Sequence, residues 1–165
     1  SAYAPLGAVG MQPEIAAAFD DVVYQGGLTY TAHPISLAAA IANIQVMQDE
    51  GIVEHTRRMG PVLHRMLNDL GEQHPSIGEV RSIGLFGVIE LVRDRRTKEP
   101  LAPWNASSPE MNAFRKYCLD HGLFIYTHWH TTLIIPPLII TEAELAEGFA
   151  ILDQALAATD AAVKG

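Results

Sequence analysis

Three sets of residues have the types and spacing for chemistry. His128 and His130 stand two apart in a segment that reads as a strand, which puts both imidazoles on one face where they could begin a metal site or line a polar cleft. No cysteine or carboxylate pair accompanies them at ligand spacing, so no metal is expected. Cys118 is the single cysteine and falls on the apolar face of a helical stretch, which predicts a buried, inert thiol. The third set is Gly27-Leu28-Thr29-Tyr30-Thr31-Ala32-His33-Pro34, where hydroxyls sit in a loop just before a helix start. Free N–H groups and the positive end of a helix dipole suit a phosphate there. Ordinary capping of the helix by Thr31 or His33 is the alternative. Gly7, Gly10, Gly26 and Gly27 lack the spacing and the Lys-Ser/Thr ending of a nucleotide-binding loop.

Apolar periodicity gives the elements that must position these residues. Residues 1–33 are rich in Gly, Ala and Pro, with a short helix expected near Pro13 to Phe19. From Pro34, a residue suited to the first helical position, Leu37, Ile41 and Ile44 recur at helical spacing until Gly51 stops the run. Ile52, Met59, Leu63, Met66 and Leu70 mark the face of the next helix. A kink or boundary is expected at Gly60 and Pro61, because an interior proline removes a backbone hydrogen bond and crowds the preceding turn. Gln73 to Ser76 then reads as a loop.

Val80 to Val92 reads as an extended segment with Leu85, Ile89 and Leu91 on one face and a bend or close backbone approach at Gly84 and Gly87. After a loop over 94–107, Ser108 and Pro109 open a helix that turns Met111, Phe114 and Cys118 inward and ends at Gly122. Short strands follow at Leu123 to Thr127 and Thr132 to Ile135, the second closed by Pro136 and Pro137. In the last helix Thr141 and Glu144 form a capping box, Ile140 and Leu145 staple its start, and Leu145, Phe149, Leu152 and Leu156 make the buried stripe. The fold class is therefore α+β, with an α/β sandwich from residue 52 onward.

Composition limits the functions available. With 165 residues, 48% of them hydrophobic, the chain can bury a sizeable core. Its formal charge of -8 is the wrong sign for a phosphate-backbone binder, so no nucleic acid partner is expected. No apolar run is long enough to span a bilayer, which removes a membrane partner. The lone cysteine rules out an internal disulfide and fits a cytoplasmic location. The chain starts at Ser1 rather than Met, which suggests a start inside a longer gene product.

Four blocks then occur in a telling order: SAYAPLGA from Ser1, GLTYTAHPISLAAA from Gly27, VRSIGLFGVIEL from Val80 and IIPPLIITEAEL from Ile134. Together they span nearly the whole chain and resemble the class III aminotransferases, which are fold type I enzymes that use pyridoxal 5'-phosphate. The resemblance implies three parts. Residues 1–33 would be the tail of the large α/β cofactor domain, 34–51 a connecting helix, and 52–165 the small C-terminal domain.

The resemblance also assigns roles. Thr29, with the Leu28 and Thr29 backbone beside it, would reach the cofactor phosphate of the neighbouring subunit of a homodimer. The lysine that holds the cofactor would fall a few residues before Ser1, and the glycine-rich phosphate turn and the aspartate facing the pyridine nitrogen earlier still. No catalytic residue is then expected in this chain, and its first partner would be the N-terminal part of the same enzyme. Tyr126 and His128 occupy places where subgroups carry a carboxylate-binding arginine, and this sequence has none there. The implied reaction moves an amino group from an amine or amino acid donor to a keto acid. Aminomutases and some decarboxylases share the architecture. The reading from a different class is a non-catalytic interaction domain.

Overall fold

The computed structural model describes residues 3–164. The chain divides into two compact units, Ser1–Gly51 and Ile52–Gly165. In the first, a short helix α1 (Pro13–Ala16) runs into a 3-10 turn over Ala17–Phe19, and α2 spans Pro34–Asp49. Pro34 occupies the first turn of α2, and Gly51, at φ +60°, follows its end in the left-handed backbone that favours glycine. Leu37, Ile41 and Ile44 lie at helical spacing as expected, yet all three remain exposed and α2 buries none of its residues.

In the second unit helices cover one face of an antiparallel sheet. Helix α3 (Ile52–Gln73) leads into the hairpin β1 (Ile77–Ile83) and β2 (Phe86–Asp94), and the two-residue β3 (Glu99–Pro100) pairs with β2. Helix α4 (Pro109–Asp120), the hairpin β4 (Tyr126–His128) and β5 (Thr131–Ile134), and α5 (Glu142–Asp160) complete it. The strand order β1-β2-β5-β4 leaves β4 at an edge. Leu63, Leu67, Ile89, Leu91, Phe114, Leu152 and Leu156 fill the core between the helices and the sheet.

Two expectations are corrected. Helix α3 continues through Gly60 and Pro61, so no boundary falls there. Its strongly amphipathic face buries Met59, Gly60, Leu63, Leu67 and Leu70, and burial over six turns outweighs one missing backbone bond. Val80 to Val92 is not one extended segment: the bend expected at Gly84 is a full turn, shared with Leu85, between β1 and β2. Gly84 holds φ +55°, and the turn places Leu85 in the core.

The caps of α4 and α5 behave as the sequence predicts. Ser108 Oγ accepts from Met111 N–H at 3.2 Å at the start of α4. Thr141 and Glu144 form a reciprocal capping box at α5. The far end of α5 is tied by a polar cluster. His74 Nδ1 lies 2.7 Å from Asp160 Oδ2, and His74 Nε2 lies 3.1 Å from Asp153 Oδ1. Ser76 Oγ donates to Asp160 Oδ1 at 2.6 Å, and Arg95 donates to the carbonyls of Ile77 and His74.

Candidate functional site

Residues 28–31 form a closed turn. Thr31 N–H donates to the Leu28 carbonyl at 2.9 Å, and Leu28 N–H donates to Thr31 Oγ1 at 3.2 Å. Thr29 and Tyr30 take the two central positions, exposed to solvent. Ala32, at φ +56°, then redirects the chain into α2. Neither expected cap acts on the helix. Thr31 spends its hydroxyl inside the turn, and His33 at the N-cap makes no side-chain bond. Pro34 has no N–H and Leu37 N–H donates to the His33 carbonyl at 3.1 Å, so the N–H groups of Ile35 and Ser36 are the ones left open, with the Thr29 turn just upstream. That arrangement of donors fits a phosphate.

Tyr126 and His128 lie at the edge of the sheet in the other unit. Register fixes their face. Tyr126, Leu133, Val88 and Arg81 are aligned across β4, β5, β2 and β1, and His128, Thr131, Glu90 and Glu79 form the neighbouring row. Directly opposed residues share a face, so both rows project from the side of the sheet away from the buried Ile89 and Thr132. Arg81 is occupied by Glu79 at 2.8 Å and Glu90 at 2.5 Å. From 117 to 163 the sequence contains no lysine or arginine. Aromatic surface stands where a guanidinium was sought.

His128 and His130 do not share a strand face. His128 ends β4, and Trp129 and His130 form the two-residue turn before β5. Among the described residues no three His, Cys, Asp or Glu side chains gather as a metal site. Sequence reasoning missed the role of the turn itself. Trp129 adopts φ +55°, a conformation that costs a bulky residue about 1–2 kcal/mol and that short hairpins normally give to Gly or Asn. Its ring lies 3.9 Å from His128 and 3.7 Å from Trp104, centroid to centroid. A tryptophan at that turn position was the available signal.

Cys118 is fully buried, and burial pushes its thiol up to about 11. It serves the core, as its helix face predicts. Glu110 at the start of α4 is held below the usual carboxylate range, first by its own backbone N–H and then by the Arg93 guanidinium. Arg93 donates to both Glu110 oxygens, at 3.0 and 3.3 Å.

Comparison with known proteins places the chain in a family. The model of class-III aminotransferases matches residues 3–156. A putrescine–pyruvate aminotransferase of Pseudomonas aeruginosa is 31% identical over 99% of this chain and 35% of its own length. An ethanolamine-phosphate phospho-lyase homologue of Caenorhabditis elegans is 36% identical over 92% of this chain and 32% of its own. Among solved structures, taurine:2-oxoglutarate aminotransferase of Bifidobacterium kashiwanohense, in complex with PLP and glutamate, superposes with a TM-score of 0.82. It is 32% identical, and the match covers 90% of this chain and 33% of that one. The chain thus spans about a third of the length of the relatives it matches. It belongs to the class III aminotransferase family.

Proposed function

We propose that this chain is the C-terminal portion of a pyridoxal-phosphate-dependent aminotransferase that moves an amino group from an amine or amino acid donor to a small keto acid. The observation that carries the reading is the uncapped start of α2 behind the Thr29 turn, in a chain of this family. When bound, the cofactor supplies the electron-withdrawing ring that loosens the donor's Cα–H bond. This chain's share is binding and shape. The Thr29 hydroxyl and the N–H groups of Ile35 and Ser36 would hold the phosphate, in a homodimer that of the neighbouring subunit. Tyr126 and His128 line the substrate wall. The lysine that anchors the cofactor belongs to the remaining part of the enzyme.

Transamination is tested on the full-length protein with pyridoxal phosphate, amine and amino acid donors, and pyruvate or 2-oxoglutarate. Failure with every pair overturns the activity. Thr29→Ala removes one charge-assisted hydrogen bond and should raise the cofactor dissociation constant by about tenfold to a hundredfold. Unchanged cofactor retention removes Thr29 from the phosphate site. The phospho-lyase homologue favours a second reading, elimination on the same cofactor. Release of inorganic phosphate from a phosphorylated amine, without formation of an amino acid from the keto acid, selects it.

A further inference from the structure

The geometry points to Trp129 as a specificity-determining residue of the substrate wall, one that selects amine donors with a planar aromatic tail over donors with a carboxylate tail. The inference rests on the reading above that β4 lines the substrate cleft.

Three observations carry it. The first is conformational: Trp129 keeps φ +55° in a two-residue hairpin turn, where glycine would meet no steric opposition. A bulky side chain held in unfavourable backbone is more economically explained by what the ring does than by what the turn needs. The second is the stack. Trp129 lies between His128 at 3.9 Å, with 27° between planes, and Trp104 at 3.7 Å, with 47°. Tyr126 extends the row, 6.2 Å from His128. Trp129 therefore fixes the plane of the His128 ring and joins it to a continuous aromatic surface. Trp104, 79% exposed, leaves much of that surface uncovered.

The third is charge. No lysine or arginine occurs between 117 and 163, and Arg81 on the same sheet is already held by two glutamates. Glu90 stands two strands from His128 in the same cross-strand row, with Thr131 of β5 between. A carboxylate tail meets no unpaired permanent cation along this wall, because Arg81, Glu79 and Glu90 together carry one net negative charge, whereas an aromatic ring gains offset or edge contacts with the row.

The test uses the full-length holoenzyme with benzylamine, 4-aminobutanoate and putrescine as donors. Trp129→Gly relieves the backbone, so the melting temperature should hold or rise. The KM for benzylamine should rise by about five- to tenfold with kcat little changed, the loss of one aromatic contact. The KM values for 4-aminobutanoate and putrescine should stay within about twofold by the same reckoning. Trp129→Phe should recover most of the benzylamine affinity. Equal changes for all three donors, a change confined to putrescine, or no change at all overturns the inference. Absence of transamination with every donor in the unmodified enzyme fails the proposed function instead, so the two failures are distinguishable.

Discussion

Gly60 and Gly84 pack backbone against backbone: a Cβ added to Gly60 would lie 3.0 Å from the Gly84 Cα. Gly60→Ala gains about 0.5–1 kcal/mol of helix propensity but forces α3 away from the β1–β2 turn, and overpacking costs about 1–3 kcal/mol. The neighbour is main chain, which cannot swing aside. A net loss of stability is expected in urea or thermal unfolding of the chain, and a gain would show that the turn yields freely.

Arg93 and Glu110 join β2 to α4, both about a quarter exposed. The Glu110 carboxyl is held below its ordinary value in the folded chain, so this contribution is fully present above the unfolded carboxylate pKa and fades as pH falls through the lower folded value. Glu110→Gln should cost about 1 kcal/mol at neutral pH and much less in acid, measured as the difference in unfolding free energy between the two proteins at each pH. A cost independent of pH would assign it to packing instead.

Cys118 should resist alkylation at pH 8, because its thiol is fully buried and titrates at about 11. Iodoacetamide labelling should proceed at the rate at which the unit opens, and urea should accelerate it. Rapid labelling of the native chain would contradict the packing of α4.

The 165-residue chain by itself should show no transaminase activity and no site-specific imine absorbance with pyridoxal phosphate. Its three lysines are exposed and engaged: Lys98 with the Gly78 carbonyl at 2.6 Å, Lys116 with Asp120 at 2.6 Å and Lys164 with Glu99 at 2.5 Å. A stoichiometric imine band abolished by substitution of one particular lysine of the three would overturn the assignment of the anchoring lysine to the rest of the enzyme.

His128→Arg in the full-length enzyme should improve kcat/KM for a carboxylate-bearing donor relative to a neutral one, since guanidinium stays charged and grips both oxygens. Equal effects on both donors would take His128 out of substrate recognition.

Helix caps and apolar stripes were legible because their signals are local. Thr141 and Glu144 are three residues apart, and Leu145, Phe149, Leu152 and Leu156 repeat along one face. The continuity of α3 was not, because the close approach of Gly60 to Gly84 depends on a hairpin that no local pattern around Pro61 announces. At the candidate site, the turn of Leu28 to Thr31 was visible as hydroxyls before a proline-led helix. The stack of Trp104 on Trp129 joins residues 25 positions apart through tertiary structure alone.

The cluster around His74 also bears on how the second unit comes into being. Its contacts bridge 79 to 86 positions of sequence, from the end of α3 to the end of α5. Lys164 N–H closes a further link to the Arg93 carbonyl at 2.8 Å. During synthesis, α3 and the β1–β2 hairpin can pair as soon as they emerge, but this fastening waits for the last helix to clear the ribosome. At about 5–20 residues per second, the roughly 70 residues after Asp94 leave the half-built sheet without α4 and α5 for several seconds. Chaperone capture of nascent chains should accordingly peak in that interval.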